Sequence, residues 1–332
     1  MKIFITGATG FLGKALVNDL LKNNHKVTIL ILPTDTYIPP KNKNLTTIQG
    51  DITKPKTLSG VTKNHNAIIH LAGAVGYGQN WKTCFLLNKD GTKNIALEAI
   101  QSKVRRFILM SSVSVYGRVS NQPISEDFPL KKIGDPYGDT KIDSENIIQD
   151  FSSKNLLDTT IIRPTVIYGP GDDKFLPKLI SNIQTKKAKI IGDGLNKVDL
   201  IHINDVLDFL KIVLQSKKAI GEIYNLTNPD NGNWKELLTI TSHLLNCPVP
   251  NKKVPYPLAY TLAGILETAG KLTNKEPLLS RYAVRVVGKN YNYITKKAEK
   301  ELGFKTKIEL KKGLSECINH LRIKNHENIH SN

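Results

Sequence analysis

Cysteine is scarce in this chain: Cys84, Cys247 and Cys317 are three in 332 residues, an odd number spread far apart. That excludes a disulfide framework and a cysteine-based zinc site, fits a reducing compartment, and leaves all three as packing residues; no metal is expected. Long hydrophobic runs are also missing. The longest weakly charged apolar stretch, Tyr256 to Ile265, falls well short of the ~20 residues that a membrane span needs. Acidic residues are outnumbered, 29 Asp and Glu against 47 Lys and Arg, for a net charge of +18. Such an imbalance attracts anions of any kind. The positive residues nevertheless come in short groups (Lys131-Lys132, Lys186-Lys187-Ala188-Lys189, Lys217-Lys218, Lys252-Lys253, Lys296-Lys297) without interleaved aromatics, so a basic solvated surface is expected rather than a nucleic-acid module. The apolar start Ile3-Phe4-Ile5 runs straight into Thr6-Gly7, so no signal peptide is expected and the protein is placed in the cytoplasm. With 40% hydrophobic and 23% charged residues, a disordered, collagen-like or coiled-coil chain is excluded.

What is present is an alternation. Lys2 to Thr6, Lys26 to Leu32, Thr46 to Gln49, Ala67 to Leu71, Phe107 to Ser111 and Thr159 to Arg163 read as strands. Phe11 to Lys22, Lys82 to Gln101 and Tyr137 to Ser153 read as the helices between them. Nearly all-apolar strands separated by amphipathic helices are the sequence form of a doubly wound parallel sheet buried on both faces. After Arg163-Pro164 the texture turns to Pro/Gly turns at Tyr168 to Asp172. Helices then follow over Phe175–Gln184, Asn204–Gln215, Trp234–Leu245, Pro257–Leu272, Leu278–Gly288 and Leu310–Leu321, with a strand at Glu222–Leu226. The polar, aperiodic tail 324–332 is expected to fray.

Lys2 to Gly13, KIFITGATGFLG, places G-x-x-G-x-x-G between the first strand and the first helix. Glycines there permit a tight turn and close approach of backbone N–H groups to a pyrophosphate, while the helix N-terminus supplies positive potential. Dinucleotide binding is therefore predicted. The acid that usually reads the adenosine ribose, about 20 residues on, is missing: the second strand ends Ile29-Leu30-Ile31-Leu32-Pro33, and Asp35 lies beyond Pro33. NAD and NADP both stay open.

Tyr137-Gly138-Asp139-Thr140-Lys141 gives Y-x-x-x-K near a helix start, with phenol and ammonium on one face. A phenol with a pKa near 10 is a poor proton carrier at neutral pH, and a nearby ammonium lowers it by stabilising phenolate. Upstream, a strand ends at Leu109-Met110-Ser111-Ser112, followed by Val113-Ser114-Val115-Tyr116-Gly117.

Gly7 to Gly13, Gly50-Asp51-Ile52, His70-Leu71-Ala72-Gly73, Asn88 with Gly91-Thr92-Lys93-Asn94, Ser111-Ser112, Tyr137 with Lys141, and Arg163-Pro164 occur in the order and spacing of extended short-chain dehydrogenases/reductases, the NAD-dependent epimerase/dehydratase superfamily, which the chain resembles over about residues 1–323. The resemblance implies a Rossmann-type domain over 1–166, joined by about 204–226, and an interleaved C-terminal α+β substrate-binding part over 167–203 and 227–323. It implies catalysis by Ser112, Tyr137 and Lys141, with Ser112 hydrogen-bonding the reacting oxygen, Tyr137 carrying the proton and Lys141 also gripping the nicotinamide ribose. It further implies a cofactor site made by Gly7, Thr9, Gly10, Phe11, Leu12 and Gly13, by Asp51 and Ile52 flanking the adenine, by Leu71, Ala72 and Gly73, by Asn88 supporting the active-site helix, and by Pro164, Thr165 and Val166 at the nicotinamide. Tyr116 is expected to pack, and His70 and His202 to be satisfied fold residues rather than bases. A homodimer through a four-helix interface is the family's habit.

Within the superfamily, dehydration would need Asp-Glu where this chain has Val113-Ser114. Nucleotide-sugar enzymes carry Arg before Asp199 to bind a substrate phosphate; here Val198 stands there. Asp172 to Ile180, Gly192 to Asn196, Pro277 to Tyr282, Gly288 to Tyr293 and Glu301 to Phe304 resemble the 3β-hydroxysteroid dehydrogenase-like branch. The expected reaction is thus alcohol–ketone interconversion on a sterol-like or long-chain substrate. The alternatives are a nucleotide-sugar epimerase or reductase, with Lys197 or Arg281 as phosphate partner, and a non-catalytic NAD(P)-binding regulator. The apolar helix at 257–272 is open to three roles: substrate lid, core, or peripheral membrane contact.

Overall fold

The computed structural model describes residues 1–76, 78–117, 121–273 and 279–330. In the first half, β1 (Lys2–Thr6) leads through α1 (Phe11–Lys22) to β2 (Lys26–Ile31), β3 (Leu45–Gln49) and β4 (Ala67–His70). Then come α2 (Trp81–Cys84), a π-helical segment (Phe85–Asp90), α3 (Gly91–Gln101), β5 (Arg106–Met110), the two-residue β6 (Pro123–Ile124), α4 (Pro136–Ser153) and β7 (Asp158–Pro164). Seven strands form one sheet in the order β11-β7-β5-β4-β1-β2-β3, where β11 is Glu222–Leu226, and every neighbouring pair is parallel.

The physical reason is legible in β1. Ile3 and Ile5 point into one core layer with Leu16 and Leu20 of α1, and Phe4 points into the other with Ile95 and Ala99 of α3. A strand buried on both faces has no polar face to show. Strands β2 and β3 lie on one side of β1 and β4 on the other, so the connections leaving the paired carboxyl ends of β1 and β4 run to opposite sides, which opens the crevice where such sheets bind ligands.

The second half adds β8 (Val166–Tyr168), α5 (Phe175–Gln184), β9 (Ile190–Ile191), β10 (Leu200–His202), α6 (Ile203–Gln215), α7 (Trp234–Leu244), β12 (Lys253–Val254), α8 (Tyr256–Thr273), α9 (Arg281–Gly288), β13 (Asn292–Tyr293), α10 (Lys296–Leu302) and α11 (Leu310–His330). Helix α6 packs on the α1 face of the large sheet through Val206, Phe209, Leu210 and Val213. Three two-stranded pairings, β10 with β8, β12 with β9 and β13 with β6, join segments far apart in sequence.

Several expectations need correction. The strands β6, β8, β9, β10, β12 and β13 are two or three residues long, below the length at which periodicity is readable, and the seven residues of α10 are also too few for a helical period. Helix α9 begins at Arg281 with Ser280 as N-cap, its hydroxyl accepting from the Ala283 N–H; Pro277 and Leu278 lie outside the described residues. Helix α11 continues past Leu321 to His330, and residues 331–332 of the tail lie outside the described residues. The helix read from Lys82 starts at Trp81, capped by Asn80, and carries a π-helical turn at its centre.

Candidate active site

The glycine loop separates into packing and cradle. A Cβ on Gly13 would lie 2.1 Å from the Gly7 carbonyl oxygen, and one on Gly7, at φ +72°, 2.6 Å from the Ala72 nitrogen. Both glycines let α1 and the 71–73 segment close on the loop. Gly10 differs: its Cβ would meet only the Gly7 oxygen, at 3.4 Å. It heads α1 as an N-cap without a side-chain hydrogen bond, so the first N–H groups of the helix face outward beside half-buried Thr9, Phe11 and Leu12. This arrangement fits a diphosphate. The Phe11 ring lies 3.8 Å from where a Gly171 Cβ would sit, closing the loop's far side.

Around it, Thr6 Oγ1 accepts from the Ala72 N–H at 3.2 Å and lies 2.7 Å from His70 Nδ1, while His70 Nε2 is 3.0 Å from Thr92 Oγ1. His70 is buried and satisfied on both nitrogens, and burial pushes its pKa down to about 3. It is a neutral fold residue. His202 is satisfied on one side only: Nδ1 accepts from Asn204 N–H at 3.3 Å, but buried Nε2 has no hydrogen bond, the Glu316 carboxylate standing 3.6 Å away.

Asp51 caps its own turn, its carboxylate accepting from Thr53 N–H and Thr53 Oγ1 at 2.9 and 2.7 Å. Against burial, which acts the other way, these bonds and Lys54 hold the carboxyl below its ordinary range. Ile52 is buried beneath Gly91, and its carbonyl accepts from Asn94 Nδ2. Half-buried Leu71 and Ala72 lead to Gly73, whose Cβ would lie 2.7 Å from Asn88 Oδ1 and 3.5 Å from Lys141 Nζ. Asn88, fully buried in the π-helical turn, accepts from Ala74 N–H with Oδ1 and donates from Nδ2 to Thr140 Oγ1 on α4, while its carbonyl accepts from Ser144. It therefore fixes α4 against the 71–74 segment. At the end of β7, Pro164 is buried; Thr165 turns its hydroxyl to Thr227, 3.1 Å away; Val166 packs in the core under α7 and α11.

Ser112, Tyr137 and Lys141 gather at the carboxyl end of β5, Tyr137 through Ser112 and Lys141 through the Met110 carbonyl. Ser112 caps a 3-10 turn by accepting from Ser114 N–H at 3.2 Å, and its hydroxyl hydrogen-bonds the Tyr137 phenol. Lys141 is buried, and its Nζ donates to the Met110 carbonyl at 2.8 Å. Burial lowers its pKa to about 8, opposed by the Glu145 charge one turn on. The phenol departs from the expected lowering: burial pushes the Tyr137 pKa up, and the Ser112 hydrogen bond only partly offsets it. Desolvation outweighs the bonds available, so Tyr137 carries its proton at neutral pH.

Sequence reasoning missed the buried network behind the site. Ser111 Oγ donates to Glu145 at 2.5 Å, and Glu145 receives Arg163 Nη2 at 2.6 Å and Nε at 3.0 and 3.2 Å. Arg163 Nη1 reaches the Tyr116 hydroxyl at 2.7 Å, which donates to Asn225 Oδ1 at 2.6 Å. Tyr116 thus packs, as expected, and also links β7 to β11, while Arg163 joins both to α4 through Glu145. The available signals were an Arg inside an apolar strand and a Glu four residues after Lys141. Tyr282 on α9 adds a second phenol whose field reaches Tyr137.

A phenol and a hydroxyl directed at one point can hydrogen-bond a carbonyl or carbinol oxygen, and the phenol can give or take its proton. A family model described as the NAD dependent epimerase/dehydratase family matches residues 3–227, more than half of the chain. A 2-alkyl-3-oxoalkanoate reductase of Shewanella oneidensis is 26% identical, over 94% of this chain and 84% of the relative. A decarboxylating sterol-4-alpha-carboxylate 3-dehydrogenase of Mus musculus is 28% identical, over 97% and 92%. The structure of a UDP-glucuronic acid 4-epimerase from Bacillus cereus in complex with NAD superposes with a TM-score of 0.77 at 24% identity, over 98% of this chain and 99% of that one, a likeness of fold.

Proposed function

The chain belongs to the NAD dependent epimerase/dehydratase family, and from that premise we propose that it is an oxidoreductase interconverting a secondary alcohol and a ketone on a sterol-like or long-chain substrate. One observation carries the choice of substrate: Val198, 2% exposed, is a core residue packed with Leu176, Leu200, Trp234 and Leu237. An aliphatic side chain there cannot supply the bidentate charge-assisted contact that a guanidinium gives a diphosphate. Arg281, the other candidate for a phosphate, donates to Glu267 from Nε at 2.7 Å and from its backbone N–H at 2.9 Å. The names of the Shewanella and mouse relatives support the reading, since one is a 2-alkyl-3-oxoalkanoate reductase and the other a sterol-4-alpha-carboxylate 3-dehydrogenase.

In this reading a nicotinamide cofactor, when bound, would supply or accept the hydride. Ser112 orients the substrate oxygen, Tyr137 donates its proton to the ketone oxygen on reduction and takes it back on oxidation, and Lys141 holds positive charge behind the phenol. The glycine loop would anchor the diphosphate, Asp51 and Ile52 would flank the adenine, and Pro164 to Val166 would meet the nicotinamide. A cytoplasmic location and a homodimer belong to the same proposal on the sequence grounds above.

Thermal-shift measurements with NAD present test it. Stabilisation by long-chain or sterol-like keto acids and none by UDP, UDP-glucose or dTDP is expected. Stabilisation by a uridine or thymidine diphosphate alone would promote the nucleotide-sugar reading, with exposed Lys197 as phosphate partner. Absence of hydride exchange with every carbinol tried would promote the regulator.

A further inference from the structure

Two lysine groups that are 63 residues or more apart in sequence meet in space. Lys186, Lys187 and Lys189 follow α5, and Lys252 and Lys253 open β12; all five are exposed. The pairing of β9 with β12 sets Lys253 opposite Ile190, and Ile190 N–H donates to the Lys252 carbonyl at 2.9 Å. Helix α8 starts three residues after Lys253, and Lys289 places its ammonium 4.6 Å from the ring centroid of Tyr256, the first residue of α8.

Helix α8 is apolar on two sides. Its inner side buries Ala259 and Ala263 against Ile191 of β9 and Val284 of α9. Its outer side exposes Leu258 at 60%, Leu262 at 46% and Ile265 at 62%, at i, i+4 and i+7, with Thr261, Thr268 and Ala269 exposed beside them. The one carboxylate between Tyr256 and Gly270, Glu267, turns inward to Arg281. A surface helix of a globular protein ordinarily shows charge on this side. Here roughly three turns of apolar outer face abut a rim of lysines, the pattern of a helix that lies in a lipid interface.

We propose that the outer face of α8, together with the lysines of the β9–β12 rim, docks on an anionic phospholipid surface, with Leu258, Leu262 and Ile265 at the acyl boundary and the ammonium groups among the head-group phosphates. Charge decides the occupant. A second copy of this chain brings the same uncharged stripe and the same five lysines against one exposed carboxylate at the rim, Asp193 in the turn after β9, whereas the phosphates of a bilayer complement the rim and its hydrocarbon complements the stripe. Nucleic acid would leave the apolar stripe in water. No helix of the described residues is long and apolar enough to cross a membrane, so the contact lies in the plane of the interface. The proposal rests on these faces and not on the substrate reading. It does bring the two together, because α9, which packs on α8, carries Tyr282, whose field reaches Tyr137.

The test is flotation of the full-length protein with vesicles of phosphatidylcholine, with and without phosphatidylglycerol. Binding to the anionic vesicles only, weakened by salt, is expected. Lys252→Ala with Lys253→Ala should lower the partition coefficient about fivefold per lysine, and Leu262→Glu by about tenfold or more, with melting temperatures unchanged. Leu262→Trp provides a fluorescence reporter whose emission should shift to the blue when anionic vesicles are added. Failure to float with either vesicle, wild-type binding by Leu262→Glu, or an unshifted emission from the Leu262→Trp variant would overturn the proposal. So would a solution dimer that Leu262→Glu converts to monomer, which would assign the face to a second copy.

Discussion

The ammonium of Lys141 lies 2.8 Å from the carbonyl oxygen of Met110, the last residue of β5, two positions before Ser112. One strand end thus sets both Lys141 and Ser112: it holds the lysine through its carbonyl and presents the serine through its backbone. Asn88 fixes the helix from the other side through Thr140, three residues after the tyrosine. Helix α4 is located by buried hydrogen bonds to its own body rather than by its cap, since Asp135 at its N-cap position makes no side-chain cap bond there.

Replacing Tyr137 by Phe should lower turnover by a factor on the order of 10² to 10⁴, the usual worth of general acid–base help. NAD affinity, measured by fluorescence titration, should stay nearly unchanged. Lys141→Met should weaken both. Equal turnover in Tyr137→Phe and the parent would remove the phenol from the chemistry.

The pH dependence follows from Lys141. Burial lowers its pKa to about 8, so the ammonium is present below that value and is lost as pH rises through it. The rate of ketone reduction should therefore decline above about pH 8. Glu145→Gln removes the charge that opposes this lowering and should move the declining limb to lower pH. A limb that stays in place in the variant would show that another group is titrating.

Glu145 and Arg163 are 0% and 2% exposed and are joined at 2.6 Å. Breaking a buried pair leaves an uncompensated charge, so Glu145→Ala should cost about 3–5 kcal/mol of stability in urea unfolding. The double variant with Arg163→Met should recover most of it. Additive losses would mean that the two side chains act independently.

The two kinds of glycine should behave differently. Gly13→Ala forces a Cβ to 2.1 Å from a backbone oxygen and should cost about 1–3 kcal/mol or more. Gly10→Ala meets nothing closer than 3.4 Å, so unfolding should be nearly unaffected while NAD affinity falls about tenfold, ~1.4 kcal/mol. Calorimetry and NAD titration of both variants separate packing from cradle.

No acid stands at the end of β2 to read a ribose. Ile31 is buried, Leu32 is 46% exposed, and Asp35 turns its carboxylate to the Tyr37 N–H at 2.9 Å. The preference between NAD and NADP should stay within roughly two powers of ten, less than about 3 kcal/mol. Parallel titrations check it, and a preference above a thousandfold would reveal a ribose contact elsewhere in the chain.

The sequence by itself determined what depends on local pattern. The seven strands of the large sheet were readable because each is four to seven residues rich in β-branched and apolar side chains, and the glycine loop and Y-x-x-x-K because both motifs are contiguous. Tertiary structure alone decided what depends on partners distant in the chain. Glu145, Arg163, Tyr116 and Asn225 form one buried network from four segments. The short strands β9 and β12 bring two lysine groups to one rim. The pKa of Tyr137 rises where the Tyr–Lys spacing predicted a fall, because spacing places charges on a helix face while only the packed fold sets how much water is removed from them.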